Sequence, residues 1–319
     1  MFTTNPLFPK MVYAPDPKYT RKGDIEPWDP KTTTLIDARP WHVVLVDKVK
    51  AAWVFIKCAI LMMIENIKIS LKIKPDTSLD LTNVKVLNSL DTKQSNKDLY
   101  VFIPGLGASA VMWVEYVKEI ETAYKTMGKE ADIRVVKNRK DGNQSFEETI
   151  TPIKKMLETY CKRNPTNRIV LVGTSLGALS SSYLEEHLRN VSPTNAVFVG
   201  SITGAYGSKM VSKLAKFPLA KLFLNPDLLE RFSHKNEHTK ALVLNQRKEL
   251  PKNCERAFVY YAGMDETTVT PPSNEHPRMD NSSKIEHYNV YGACHVSTTK
   301  IVTKHLCERA IAFHKSEKN

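Results

Sequence analysis

Ile169-Val-Leu-Val-Gly173-Thr-Ser175-Leu-Gly177-Ala-Leu179 is the stretch of this 319-residue chain that decides its fold. It begins with an apolar run, as expected of a strand buried on both faces, and a helical stretch follows the GxSxG pattern. A strand that turns directly into a helix leaves little room for side chains, which explains glycine at positions 173 and 177. The stretch therefore predicts a tight turn that holds Ser175 in a strained conformation, with its hydroxyl exposed above the sheet near the positive end of a helix.

The sequence on either side of this turn alternates short apolar runs with amphipathic stretches. Residues 146–162 place Ile150, Ile153 and Leu157 on one helical face, and residues 296–314 are expected to form a closing helix. Alternation of strands and helices predicts an α/β fold with a mostly parallel central sheet flanked by helices. The runs expected to form strands are residues 99–103, 133–136, 169–172, 196–199, 257–262 and 285–290.

The N-terminal part of the chain, residues 1–75, differs in composition from the rest. Its first 35 residues are rich in proline and predict an extended arm. Residues 41–64 are strongly apolar and predict a helical extension, but Lys57 interrupts them, which disfavours a membrane-spanning helix. Two interpretations remain: a helix packed on the protein body, or an interfacial helix whose lysines reach toward lipid headgroups.

Two further strands are predicted before the alternating region. Residues 67–74 alternate apolar and polar side chains, and residues 83–87 can form a second strand, so together they predict an antiparallel edge of the sheet. The α/β domain is expected to occupy residues 76–319. Within it, residues 207–251 break the alternation and predict an inserted pair of helices rich in Lys, Leu and Phe, placed where a lid would cover Ser175.

The serine turn and its neighbouring segments resemble the α/β-hydrolase superfamily over about residues 80–314. In that family the serine is a nucleophile, so the resemblance implies this role for Ser175 and makes the amide of Leu176 one half of an oxyanion hole. The sequence Ile103-Pro-Gly-Leu-Gly107 resembles the HGxxG-like segment of the family, which implies the Leu106 amide as the other half. Pro104 stands where many members have histidine, but a backbone donor does not depend on that side chain.

The acid and the base follow in the chain order of this superfamily. Gly263-Met-Asp265, after a predicted strand, resembles the segment that carries the triad acid, with Glu266 and Asp280 as competing carboxylates. His295 lies in a glycine-containing loop after the last strand and matches the family's base, so the resemblance implies the triad Ser175, Asp265 and His295. The less well placed histidines are His187 on the helix after Ser175, His234 and His238 in the insertion, and His305 and His314 in the closing helix.

The chemistry that this resemblance implies is the hydrolysis of carboxylic esters through an acyl-serine intermediate, without a cofactor or a metal. The cationic, apolar insertion and the apolar N-terminal helix favour a lipid-like ester, as for a lipase or esterase. Two alternatives stay open. One is a non-catalytic α/β-hydrolase scaffold that binds a ligand or a protein, because fold alone does not give activity. The other is an acyltransferase that uses the same triad.

Charge and cysteine content bear on the partners and the compartment. The formal net charge of +12 favours anionic partners such as phospholipid headgroups. The basic residues are scattered and no nucleic-acid-binding motif occurs, so nucleic acid is not expected as a partner. The 5 cysteines are odd in number and form no CxxC pair, which favours reduced thiols over a disulfide framework or a structural zinc site. The sequence therefore predicts a cytoplasmic protein with peripheral contact to a membrane.

Overall fold

A computed structural model describes residues 23–27, 85–86, 97–138 except 109, 143–216 except 206, 224–241, 254–262, 285–290, 293 and 295–315, together with the helical positions 41, 42, 45, 46, 49, 53 and 64. Its strands are β1 Ile25–Pro27, β2 Lys85–Val86, β3 Asp98–Ile103, β4 Ala131–Val135, β5 Ile169–Thr174, β6 Val197–Ile202, β7 Cys254–Ala262 and β8 Ile285–Val290. They form one sheet in the order β1-β8-β7-β6-β5-β3-β4-β2. Strands β2 to β8 all run parallel to one another. Strand β1 runs antiparallel to its neighbour β8.

Helices cover both faces of this sheet, which confirms the predicted α/β architecture. A short 3₁₀ helix, Ala110–Trp113, leads into the first of them. The α-helices are α1 Val114–Thr126, α2 Phe146–Arg163, α3 Leu176–Val191, α4 Lys209–Leu214, α5 Pro226–Arg231 and α6 His295–Lys315.

The central strands are continuous apolar runs because they are buried on both sides. Successive residues of a strand point to opposite faces of the sheet, so each strand contributes to two cores. On one face, Phe102, Val172 and Phe198 pack with residues of α1 and α6. On the other face, Val101 and Leu171 pack with residues of α2 and α3. The carboxyl ends of the parallel strands therefore meet along one edge between the two helical layers.

Helix α2 begins where its sequence supplies a capping box. The Glu148 amide donates to Ser145 Oγ at 3.1 Å, and the Ser145 amide donates to Glu148 Oε2 at 2.8 Å. This pair satisfies two amides that have no partner inside the helix. The helix then runs to Arg163, one residue beyond the predicted stretch 146–162, with Pro152 in its first turns.

The predicted antiparallel edge is wrong for the strand at residues 83–87. That strand is found as Lys85–Val86, but it pairs in parallel with β4, beside Arg134 and Val135. Hydrophobic alternation specifies which side chains are buried and carries no information about strand direction. Residues 67–74 lie outside the described residues. An antiparallel strand is found at the opposite side of the sheet, where the proline-rich arm supplies β1 as a partner for β8.

The expected insertion at residues 207–251 is described at 207–216 and 224–241. Helices α4 and α5 lie in these parts, between β6 and β7, and residues of both pack on the core that α2 and α3 cover. The Phe146 amide at the start of α2 donates to Asp227 Oδ2 of α5 at 2.8 Å. The described helices of the insertion are therefore docked on the body, and their function as a lid stays a prediction.

The described positions between residues 41 and 64 are helical, as the sequence predicts. Within the part of the chain that the structure describes, no helix combines the length and the apolar character needed to cross a bilayer.

Candidate active site

Ser175 occupies the turn between β5 and α3 in a conformation that few non-glycine residues adopt. Its φ of 55° and ψ of −120° lie outside the usual regions for L-amino acids. The surrounding backbone holds this conformation, because the Ser175 amide donates to the carbonyls of Ile202 at 3.0 Å and Thr203 at 2.9 Å. Backbone strain of this kind costs about 1–3 kcal/mol and concentrates at functional sites. The turn predicted from the GxSxG pattern is thus present in the backbone.

The glycines of the pattern are required by contacts between backbone segments. A Cβ atom on Gly173 would lie 2.1 Å from the carbonyl oxygen of Gly177, and one on Gly177 would lie 2.1 Å from the carbonyl oxygen of Ile103. Neither contact could be relieved by turning a side chain, because the atoms belong to the backbone. These glycines bring the start of α3 against the end of β3.

The segment after β3 passes directly beside Ser175. A Cβ atom on Gly105 would lie 2.8 Å from Ser175 Cβ and 3.5 Å from Ser175 Oγ. The Ala108 amide donates to the Gly105 carbonyl at 3.2 Å, so Leu106 lies within a tight turn at this place. The Asn138 side-chain amide supports the turn by donating to the Pro104 carbonyl at 3.3 Å.

The amides of Leu106 and Leu176 are the predicted oxyanion-hole donors. Leu176 is the first residue of α3, so its amide has no carbonyl one turn earlier in the helix to bind. Leu106 belongs to the turn that contacts Ser175 from the other side. Two peptide groups from different segments thus flank the serine, as a site that stabilises negative charge on a substrate oxygen requires.

His295 begins α6, the helix that follows the last strand. One helical turn further along, Thr299 Oγ1 lies 3.1 Å from Oγ1 of Thr174, the residue before Ser175. The hydroxyl of Tyr116 in α1 donates to the Thr299 carbonyl. Because residues i and i+4 share a face of a helix, these contacts bring the half-buried His295 to the same edge of the sheet as Ser175.

The predicted triad acid, Asp265, lies outside the described residues, as do its competitors Glu266 and Asp280. Strand β7 ends at Ala262, between β6 and β8 and parallel to both. The chain therefore leaves β7 at the sheet edge that also carries Ser175. The assignment of Asp265 stays a prediction.

Several of the other histidines make contacts that suit a structural function. His187 Nε2 lies 2.8 Å from Glu158 Oε1, and His234 Nδ1 lies 2.7 Å from Ser212 Oγ. His305 Nδ1 lies 2.9 Å from the Tyr260 hydroxyl, and burial lowers the pKa of this histidine. His238 is exposed on the insertion, and nothing is described of the His314 side chain.

The loop after β6 supports the serine turn, a function that the sequence pattern did not predict. Thr203 has a φ of 50°, and Gly204 has a φ of 87°. A Cβ atom on Gly204 would lie 2.9 Å from Ser175 Cα, so this loop closes on the turn from the side opposite Gly105. The Thr203 hydroxyl is buried and, among the described residues, has no hydrogen-bond partner. The signal for this support is a Thr-Gly pair directly after a buried strand.

Comparison with known proteins finds solved structures with a similar fold, but no match by sequence. A scan against protein-family models found no match, and a search of curated proteins found none. Among solved structures, the esterase Est1E from Butyrivibrio proteoclasticus is 13% identical, with a TM-score of 0.45 over 70% of this chain and 90% of that one. An esterase from Pyrobaculum calidifontis is 15% identical, with a TM-score of 0.46 over 70% and 78%. Mouse alpha/beta hydrolase domain-containing protein 10 is 13% identical, with a TM-score of 0.44 over 68% and 90%.

The architecture itself specifies the fold class. A mostly parallel sheet lies between two layers of helices, a sharp turn carries Ser175 from a central strand into a helix, and a histidine follows the last strand. The chain has the α/β-hydrolase fold.

Proposed function

We propose that this protein is a serine hydrolase that cleaves carboxylic esters through an acyl-serine intermediate. The observation that carries the proposal is the strained backbone of Ser175, flanked by the Leu106 turn and by the start of α3. A strained serine between two candidate amide donors is the arrangement that acyl transfer needs, because the hydroxyl can attack while the donors bind the developing oxyanion.

In the proposed mechanism, His295 accepts the proton of Ser175 Oγ as this oxygen adds to the ester carbonyl carbon. The amides of Leu106 and Leu176 bind the resulting oxyanion. Collapse of the tetrahedral intermediate breaks the ester C–O bond, and His295 gives its proton to the departing alcohol. His295 then removes a proton from water as the water oxygen attacks the acyl carbon, and it returns this proton to Ser175 Oγ as the bond between Oγ and the acyl carbon breaks and the acid leaves. Asp265 is assigned to orient the imidazole and to stabilise its protonated form.

A fluorophosphonate probe tests this proposal, because it labels serines that are activated as nucleophiles. The wild-type protein should be labelled, and Ser175→Ala should abolish the labelling. Ser180→Ala is a matched control on the same helix, since Ser180 Oγ is buried and donates to the Leu176 carbonyl at 2.9 Å. It should leave the labelling unchanged. A folded wild-type protein that stays unlabelled, also in the presence of detergent or vesicles, would instead favour the ligand-binding scaffold.

We further propose that the ester is lipid-like and that the protein is cytoplasmic, with peripheral contact to a membrane. The net charge of +12 and the lysine- and leucine-rich insertion between β6 and β7 support a lipid-like ester and membrane contact. The odd number of cysteines, without a CxxC pair, supports a reducing compartment such as the cytoplasm. Rates on emulsified long-chain esters should exceed those on short soluble esters, and the reverse preference would contradict a lipid substrate. Product analysis with added alcohols separates hydrolysis from acyl transfer, because a transferase would form new esters in place of the free acid.

A further inference from the structure

The helical residues described between positions 41 and 64 are all exposed. Their apolar members range in exposure from 41% at Ile64 to 76% at Trp41. On an ideal helix of 3.6 residues per turn, the spacing of Trp41, Leu45, Val49 and Trp53 corresponds to an arc of about 120°. This surface, called here the Trp41 face, consists of Trp41, His42, Leu45, Val46, Val49, Trp53 and Ile64.

An apolar face of this kind differs from scattered surface side chains. Trp41, Leu45, Val49 and Trp53 recur at every fourth residue, the spacing at which side chains share one side of a helix. Contiguous exposed apolar surface on a protein marks a place where a partner or a membrane binds. Outside this helix, Val191 is the large apolar residue that the structure leaves similarly exposed, at 45%, within its described parts.

Charge indicates which partner fits the Trp41 face. The sequence between its members supplies Lys48, Lys50 and Lys57 against a single acid, Asp47, and the chain as a whole carries +12. Cationic residues in the same segment as exposed apolar residues are attracted to anionic lipid headgroups while the apolar side chains enter the acyl boundary. Tryptophan is also the residue type enriched at membrane–water interfaces.

We propose that the Trp41 face docks on an anionic lipid surface, with the helix lying in the plane of the interface. A charged side chain is costly at the centre of a bilayer, whereas at the interface a lysine extends into the headgroups. Docking would hold the protein where lipid esters are concentrated. It deepens the proposed lipid-ester function in this respect, but the attachment itself does not depend on Ser175.

Flotation of the full-length protein with vesicles tests the proposal. The wild-type protein should float with vesicles of phosphatidylcholine and phosphatidylserine, and added salt should weaken the binding. The double variant Leu45→Ser/Val49→Ser should bind at least roughly tenfold more weakly, because two apolar side chains of the face are lost. Val191→Ser, which changes an equally apolar and exposed residue elsewhere, should float like the wild type.

Tryptophan fluorescence provides a second measurement, because Trp41 and Trp53 should shift their emission to shorter wavelength on entering the lipid boundary. The substituted residues are exposed, so the variants should unfold at the wild-type temperature, which circular dichroism can verify. Ser175→Ala should float like the wild type, so a failure of the catalytic proposal and a failure of this one give different results.

Three results would overturn the docking proposal. One is the absence of wild-type flotation, and another is equal flotation of the wild type and the Leu45/Val49 double variant. Equal binding to pure phosphatidylcholine would overturn the preference for anionic lipid. A wild-type protein that dimerises and does not float, while the double variant is monomeric, would assign the Trp41 face to a second copy of the chain.

Discussion

Replacing Thr299 by valine would remove the hydroxyl that joins α6 to the strand before Ser175. The Oγ1 atoms of Thr174 and Thr299 are 3.1 Å apart, and each residue is only 4% exposed. Valine has nearly the same shape as threonine, so the substitution leaves the Thr174 hydroxyl buried without this partner. An unsatisfied buried hydroxyl costs about 1–3 kcal/mol. We expect the free energy of unfolding of Thr299→Val to fall by that amount.

A double-mutant cycle isolates the contribution of the pair. Thr174→Val should cost a similar amount, whereas the double variant leaves neither hydroxyl unpaired and should lose less than the sum of the two single changes. The expected coupling is about 0.5–1.5 kcal/mol, measured by urea unfolding. Thr303→Val is the matched control, because its Oγ1 donates within α6, to the Thr299 carbonyl at 3.2 Å. It should show no coupling with Thr174.

The same variants test whether the pair positions the candidate base. Because His295 begins the helix that Thr299 anchors, each single substitution should lower kcat for a soluble ester more than it changes KM. Strict additivity in the free energy of unfolding, together with an unchanged kcat, would refute the inference that this hydroxyl pair couples α6 to the serine turn.

Three further predictions concern the glycines of the sheet and the serine turn, His305, and two buried cysteines. Gly177→Ala places a Cβ atom 2.1 Å from a carbonyl oxygen of β3 and should lower kcat by about 100-fold or more. In Gly200→Ala the new Cβ atom lies 2.8 Å from the end of the Leu306 side chain, which can turn away, so this control variant should keep its kcat in the same ester assay. An equal loss of kcat in the Gly177 and Gly200 variants would contradict the argument. Burial lowers the pKa of His305 below its usual value of 6.5, so folding favours the neutral imidazole. The resulting contribution to the free energy of unfolding is fully present above about pH 6.5 and is lost as the pH falls through the lower pKa of the folded protein. The unfolding free energy of His305→Gln should therefore vary less between about pH 7 and pH 5 than that of the wild type, and identical pH profiles would count against it. Burial raises the pKa of the Cys161 and Cys307 thiols, so both should react with a disulfide reagent only after unfolding, and fast labelling of either in the folded protein would disprove this.

The serine turn could be predicted from the sequence because its determinants are local. A buried strand, two glycines and a following helix lie within eleven consecutive residues, and the close approach of Gly173 to Gly177 lies inside that unit. The parallel sheet with helices on both faces could be predicted for a similar reason. Runs such as residues 169–172 are apolar on both faces of a strand, and only an arrangement with two helical layers buries both.

Features that depend on pairing between distant segments could not be predicted in this way. The direction of Lys85–Val86 depends on its neighbour β4, and no local pattern encodes it. The hydroxyl pair of Thr174 and Thr299 joins residues that are far apart in sequence, and threonine occurs too often to mark a contact by itself. The positive φ of Thr203 likewise follows from the close approach of its loop to Ser175.

The antiparallel pairing of β1 with β8 has a consequence for the order in which the molecule forms. Residue 25 pairs with residue 290, so β1, the first described strand to be synthesised, cannot pair until β8, the last one, has been synthesised. Closing so long a loop is entropically costly, and contacts of this kind form late in folding. Until the arm docks, β8 presents an open edge to which a strand of another molecule could add. The short arm therefore covers the β8 edge, which would otherwise stay open to pairing with another molecule.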